Sequence, residues 1–213
     1  YKSGEAKITV TGGTFKSFDP NVAPEQKVDG KAPSFAAPGT GITKNEDGSF
    51  TAVAGMTAQI LDKDGNSVKA YKSLTEAIDA AEDGQTVTLL GDATENVTIE
   101  ASKRVTLDLN GHTLNGGTGT AKAAILNKGT VTITDTSTDK TGTIKRDDQG
   151  IANEKSHYVI DNNGTMVIDQ ANVFNNSGKQ GSKQGASLVR NGGVANVSSL
   201  TINGGTFDQQ NFI

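Results

Sequence analysis

Ile125-Leu126-Asn127-Lys128-Gly129-Thr130-Val131-Thr132-Ile133 and Ile160-Asp161-Asn162-Asn163-Gly164-Thr165-Met166-Val167-Ile168 follow one pattern at an offset of 35 residues. Each runs as an apolar strand, an Asn/Gly turn and a Thr-rich strand. Leu107-Asp108-Leu109-Asn110-Gly111-His112-Thr113-Leu114 reads as another copy, and Val189-Arg190-Asn191-Gly192-Gly193-Val194 as a looser fourth. Alternation of apolar residues with Thr has the period of a half-buried strand. Asn and Gly tolerate the left-handed backbone of tight turns. No single copy can bury its apolar face, whereas stacked copies can, so the repeat predicts a solenoid.

Composition agrees with that reading. The 213 residues suffice for one well-buried domain, or for one domain with an appended module. Leu, Ile, Val and Phe make up about a fifth of the chain, just above the level at which disorder is the default. The core must therefore be thin, as in a coil that turns only a few side chains inward. Gly is frequent at 26 residues, and abundant Thr favours strands because its β-branched side chain fits a pleated surface. A net charge of −4, with no run of Lys or Arg, gives no electrostatic footprint for nucleic acid. The absence of Cys excludes a disulfide framework and Cys-based zinc sites. No apolar run approaches the ~18 residues of a membrane span, so no membrane insertion is expected. The chain opens at Tyr1 with no signal peptide, which reads as a processed or excised piece of a longer protein.

Working outward from the repeat, the two ends of the chain match each other. Ile8-Thr9-Val10-Thr11-Gly12-Gly13-Thr14-Phe15 corresponds to Leu200-Thr201-Ile202-Asn203-Gly204-Gly205-Thr206-Phe207. This predicts that residues 1–57 hold the end of a preceding unit with a Pro/Gly-rich loop and a hairpin. Residues 58–213 then form the next unit. All four prolines fall in 16–41, which reads as a loop or linker. Hairpins are expected at Ile42–Lys44 with Phe50–Val53, and at Ala58–Leu61 with Val68–Tyr71. One helix is predicted over 73–83. Ser73 and Glu76 suit a capping box, and Leu74, Ala77, Ile78 and Ala81 make one apolar stripe. Gly84 suits its left-handed closing position.

Strands are expected at 97–99, 104–109, 123–126, 130–134, 142–145, 158–161, 165–168, 187–190, 194–197 and 200–202. Asn-Gly pairs favour hairpins in isolation and hence an antiparallel β-sandwich. Copies repeated in one direction and in register favour a parallel coil with strands ~4.8 Å apart. The expectation is therefore an all-β right-handed parallel β-helix, its open end covered by the amphipathic helix, with the antiparallel β-sandwich as the alternative.

The run from Tyr71 to Leu90, built on Ser73-Leu74-Thr75-Glu76-Ala77-Ile78-Asp79-Ala80-Ala81, resembles the N-terminal cap of pectate-lyase-like right-handed β-helices. Together with Val105–Leu114 it is similar to β-helix units of large bacterial surface proteins. The resemblance implies an extracellular, cell-surface module, an adhesin or spacer. Its implied partners are host or dietary glycans, surface proteins and neighbouring repeat units of the parent protein. No cofactor is implied. The fold also carries polysaccharide lyases and glycoside hydrolases, so an enzyme is the alternative.

Asp147 and Asp148, after Arg146, are the catalytic candidates for that alternative. Clustered carboxylates act as acid and base at a glycosidic bond, or hold calcium against an acidic sugar. Neighbours on a strand point to opposite faces, so a solvated loop before Gly150 is the expectation. Asp62 and Asp64, in Asp62-Lys63-Asp64-Gly65-Asn66, resemble the start of a calcium loop. Ser67 stands where that loop needs Gly and Ser73 where it needs Glu, so a plain hairpin turn is expected. Asp161 is expected at a turn, and neither His112 nor His157 shows a base–nucleophile pairing. The polar loop Asn175–Gln184 is a place where binding could reside. The repeated Asn and Thr residues are expected to stack as ladders.

Overall fold

The computed structural model describes residues 8–22, 34–116, 122–147, 157–176, 186–192 and 198–210. Strands β1 (Gly12–Phe15), β2 (Thr40–Lys44) and β3 (Phe50–Ala54) form an antiparallel sheet in the order β1-β3-β2. The second expected hairpin follows as β4 (Ala58–Leu61) and β5 (Ser67–Tyr71), and then comes α1 (Leu74–Ala80). The chain next runs through β6 (Thr86–Leu89), β7 (Ala93–Thr94), β8 (Val97–Ile99), β9 (Arg104–Asp108), β10 (Thr113–Asn115), β11 (Ile125–Asn127) and β12 (Thr130–Thr134). It continues with β13 (Thr143–Arg146), β14 (His157–Asn162), β15 (Thr165–Ile168), β16 (Asn172–Asn175), β17 (Ala186–Asn191), β18 (Ser199–Ile202) and β19 (Phe207–Gln209).

From β9 onward each strand pairs in parallel with the third one before it. A first sheet takes β6, β9, β12, β15 and β18, with β4 and β5 added antiparallel at one edge. A second takes β7, β10, β13, β16 and β19, and a third takes β8, β11, β14 and β17. The fold is thus nearly all-β with parallel sheets. The Asn/Gly turns redirect the chain from one sheet to another instead of reversing it, so antiparallel pairing among the described strands is confined to β1–β6.

The offset of 35 is the register itself: Ile125 lies opposite Ile160, Asn127 opposite Asn162 and Ile133 opposite Ile168. The fourth copy follows suit, with Val189 opposite Ile160 and Asn191 opposite Asn162. The copy starting at Leu107 does not. Leu107 lies opposite Ile133 rather than Ile125, and Asn110-Gly111 turns the chain from the first sheet to the second. Asn/Gly turns occur at two different corners, which is why those residues aligned falsely.

Alternation supplies the core. In β12, Val131 and Ile133 point inward while Thr130, Thr132 and Thr134 point outward. Each sheet contributes inward columns: Leu107, Ile133 and Ile168 from the first, Leu114, Ile144 and Val173 from the second, and Val97, Ile125 and Ile160 from the third. All are buried in one cluster together with Leu74, Ala77 and Ile78 of α1. Val10, Ile42 and Ala52 form a small separate cluster beneath the antiparallel sheet.

The helix is shorter than expected, ending where Ala81 turns extended, and its ends are capped by residues from later in the chain. Ser73 accepts from the amide of Glu76 as predicted. The carboxylate of Glu95, however, takes the amides of Leu74 (2.9 Å) and Thr75 (3.0 Å) and both hydroxyls of Ser73 and Thr75. At the other end the Lys103 ammonium donates to the carbonyls of Asp79 and Ala81. An acid at the N-terminus and a cation at the C-terminus both complement the helix dipole. The helix closes at Ala81 in extended backbone, and left-handed Gly84 serves the following turn, where the Gln85 amide donates to Glu82.

Candidate functional site

The conspicuous polar residues lie at the corners between sheets, and two corners account for most of them. Where the third sheet turns into the first, Asn127 and Asn162 are fully buried. The Asn127 side-chain oxygen accepts from the Gly129 amide (3.1 Å), and its Nδ2 donates to Asn162 Oδ1 (2.7 Å) and to Thr165 O (3.1 Å). Asn162 repeats this one layer on, donating to Asn191 Oδ1 (2.7 Å) and Ser199 O (2.9 Å). The expected ladder exists, and it is an asparagine ladder. Gly164 sits so close to the layer before it that a Cβ there would lie 2.2 Å from the Gly129 carbonyl oxygen. A Cβ at Gly129 would likewise lie 2.4 Å from the Glu100 carbonyl oxygen, which explains the glycine in both described Asn-x-Gly turns.

The corner from the first sheet to the second uses carboxylates instead. Asp108 accepts from the amides of Asn110 (3.0 Å) and Thr136 (2.9 Å) and from the Thr136 hydroxyl (2.6 Å). Asp135 accepts from the amides of Gly111 (2.8 Å), Ser137 (3.0 Å) and Gly142 (2.6 Å). Each carboxylate thus ties its own turn to the adjacent layer. Burial pushes the Asp135 carboxyl up, but hydrogen bonds from Ser137, Gly142 and Gly111 outweigh it and hold the group below the usual carboxylate range. Glu95 behaves alike: burial raises it, and its bonds to Thr75, Leu74 and Ser73 bring it lower.

The corner from the second sheet to the third carries the longest connections, with Asn115 to Ile125, Arg146 to His157 and Asn175 to Ala186 joining successive strands. Arg146 is fully buried there and donates Nη1 to Tyr158 O (3.0 Å). One layer on, buried Asn175 donates to Ser187 O (3.2 Å). Arg146, Asn175 and Gln209 form one column in register.

The catalytic candidates belong to this corner. Asp147 accepts from Lys145 Nζ (2.8 Å) and Asn115 Nδ2 (3.1 Å), a pairing at the rim of the second sheet. Asp148 lies outside the described residues, as do strand 194–197 and most of the Asn175–Gln184 loop. Asp62 and Asp64 sit in the β4–β5 turn. The Asp62 Oδ1 accepts from the amides of Asp64 and Asn66 (both 2.9 Å), and both its oxygens meet Asn66 Nδ2. Burial nudges the Asp62 carboxyl up, and its bonds to Asn66 and to the turn amides hold it low. Asp64 pairs with exposed Lys63. Among the described residues no three His, Asp or Glu side chains come together as a metal-holding group.

The ring of His112 stands 3.7 Å from the Asp92 carboxylate, which also accepts from the Thr113 amide at 2.8 Å. The His157 side chain lies outside the described residues. Asp161 lies on strand β14 rather than at a turn, facing outward opposite Arg190. Arg190 forks onto both its oxygens and lies 4.8 Å over the Tyr158 ring. This Tyr158–Asp161–Arg190 group was not legible beforehand, because its members come from two layers and meet only through the register. Comparison with protein-family models, with curated proteins and with solved structures returns no match for this chain.

Proposed function

We propose that residues 58–213 form a helix-capped right-handed parallel β-helix, its coils passing through the three sheets in turn. In this reading the chain is a non-catalytic, extracellular module of a repetitive bacterial surface protein. It serves as a spacer or adhesin whose flat outer faces meet glycans. One observation carries the reading: the buried polar side chains at the corners between sheets are occupied in joining layers. Asn127, Asn162, Asp108 and Asp135 direct their oxygens at turn amides. Asp147 is held by Lys145 and Asn115. A stack built this way gains length from local contacts alone and needs no disulfide.

Incubation with acidic and neutral polysaccharides tests the reading. The expected outcome is retention without cleavage, seen as co-sedimentation with insoluble glycan and no new reducing ends or unsaturated products. Turnover that disappears in Asp147→Asn or Asp148→Asn overturns it in favour of a lyase or hydrolase.

A further inference from the structure

Asn115 and Lys145 stand directly opposite each other on the paired parallel strands β10 and β13. Both side chains leave the same face of the second sheet, since their neighbours Leu114 and Ile144 point into the core. Neighbouring strands lie about 4.8 Å apart, well within the reach of a lysine side chain. Asp147 comes two residues after Lys145 and meets both. Its Oδ2 accepts from Lys145 Nζ at 2.8 Å and from Asn115 Nδ2 at 3.1 Å. An amine, a carboxamide and a carboxylate thus converge on one oxygen atom, across two layers.

Two details set this group apart from the asparagine ladder. Asn127 and Asn162 have both ends of their amides engaged. The Asn115 Oδ1, by contrast, is shut off from solvent and accepts nothing among the described residues. A buried acceptor left unpaired costs about 1–3 kcal/mol, and such an atom in a native fold asks for a reason. The second detail is the Gly116 amide, the nitrogen through which an Asn-Gly pair closes on itself. It donates to Lys145 O (2.9 Å). Attack from its own backbone is thus opposed, and the amine of the next layer is the nucleophile left beside the carboxamide.

The geometry points to a self-catalysed amide cross-link between Lys145 Nζ and Asn115 Cγ. Asp147 takes a proton from the lysine ammonium, and the neutral amine adds its electron pair to Cγ, sending the carbonyl pair onto Oδ1. The protonated Asp147 then gives its proton to Nδ2 and takes one from Nζ. The pair on Oδ1 returns, the Cγ–Nδ2 bond breaks, and ammonia departs with the Asp147 proton as ammonium. One C–N bond forms and one breaks, with no oxidant or co-reactant. Lys145 and Asp147 are 35% and 33% exposed, so the ammonia escapes to water and the new bond stays. The product ties two successive layers at the corner whose connections are longest. Its chemistry does not rest on the surface-module reading.

The test holds the full chain folded at mildly alkaline pH, where more of the amine is neutral, and follows it by intact mass and tryptic mapping. The expected result is the loss of one ammonia per chain and a branched peptide joining the Asn115 segment to the Lys145 segment. Lys145→Arg, which keeps a cation beside Asp147, and Asn115→Ala each abolish the branched peptide. Asp147→Asn slows its formation roughly a hundredfold. Separate Asn115 and Lys145 peptides after that incubation overturn the inference. They do so even where ammonia has been lost, since a ring closed on Gly116 leaves Lys145 open to trypsin. A branched peptide formed equally fast in Asp147→Asn overturns the proton-transfer role of Asp147.

Discussion

Two corners of the molecule solve the same problem with different chemistry. Where the third sheet meets the first, buried asparagines satisfy the turn amides and one another. Where the first meets the second, Asp108 and Asp135 do so as carboxylates. A primary amide has both a donor and an acceptor, so it can repeat indefinitely from layer to layer. A carboxylate only accepts, so each one must collect amides from its own turn and from a neighbouring one, and no two can stack directly. The amide corner is periodic and indifferent to pH; the carboxylate corner is irregular and titrates.

The sharpest way to break the amide corner is Gly164→Val. Its Cβ would meet the Gly129 and Lys128 carbonyl oxygens at 2.2 and 2.8 Å, and the layers must part. A loss of about 3 kcal/mol is expected from overpacking against backbone, read as a fall in the urea midpoint. Next comes Asn162→Leu, which strands the Asn127 donor and the Gly164 amide. About 2–3 kcal/mol is expected for leaving buried polar groups unpaired, measured by the same unfolding curves.

At the carboxylate corner, Asp135→Asn keeps the shape and removes the charge. A loss of about 1–2 kcal/mol is expected at neutral pH, since hydrogen bonds to a charged acceptor are the stronger kind. The pH dependence separates the corners further. The Asp135 carboxyl sits below its ordinary value of 3.8 in the folded chain. Its contribution is therefore complete above that value and fades as pH falls through the lower folded one. Asp135→Asn should lose less stability than the parent between neutral and strongly acidic pH, whereas an Asn162 variant should track the parent's slope. Equal slopes for parent and Asp135→Asn contradict the contrast drawn here. The smallest effect is expected for Glu95→Gln, which weakens the cap of α1 by about 1 kcal/mol. Its stabilisation likewise fades as pH falls below the ordinary value of 4.5, visible in thermal unfolding at strongly acid pH.

The first and third sheets were legible in the sequence because their strands alternate and because two successive layers repeat at an offset of 35. The second sheet was largely not. Its members β7, β10, β16 and β19 are two to four residues long and lack the Asn-x-Gly turn and Thr-rich partner strand that marked the equally short β11. Ser73 announced the start of the helix because its partner lies three residues away. Glu95 and Lys103 did not announce themselves, since they reach α1 only after the chain has come round through β6 and β8. The same limit applies to the outward Tyr158–Asp161–Arg190 group. Asp147 was visible as a charge, but its neighbours Lys145 and Asn115 come from two separate strands.

The dependence of α1 on Glu95 and Lys103 also fixes an order of events. Seven residues are too few to hold a helix in water unaided, because nucleation costs more than two turns return. The caps of α1 are supplied by Glu95 and Lys103, so the helix gains its full stability only when that loop of chain has closed. Each later strand then pairs with one already in place. The helix is thus a consequence of the strands it covers, and it forms no earlier than the pairing of β6 with β9 brings Lys103 beneath it.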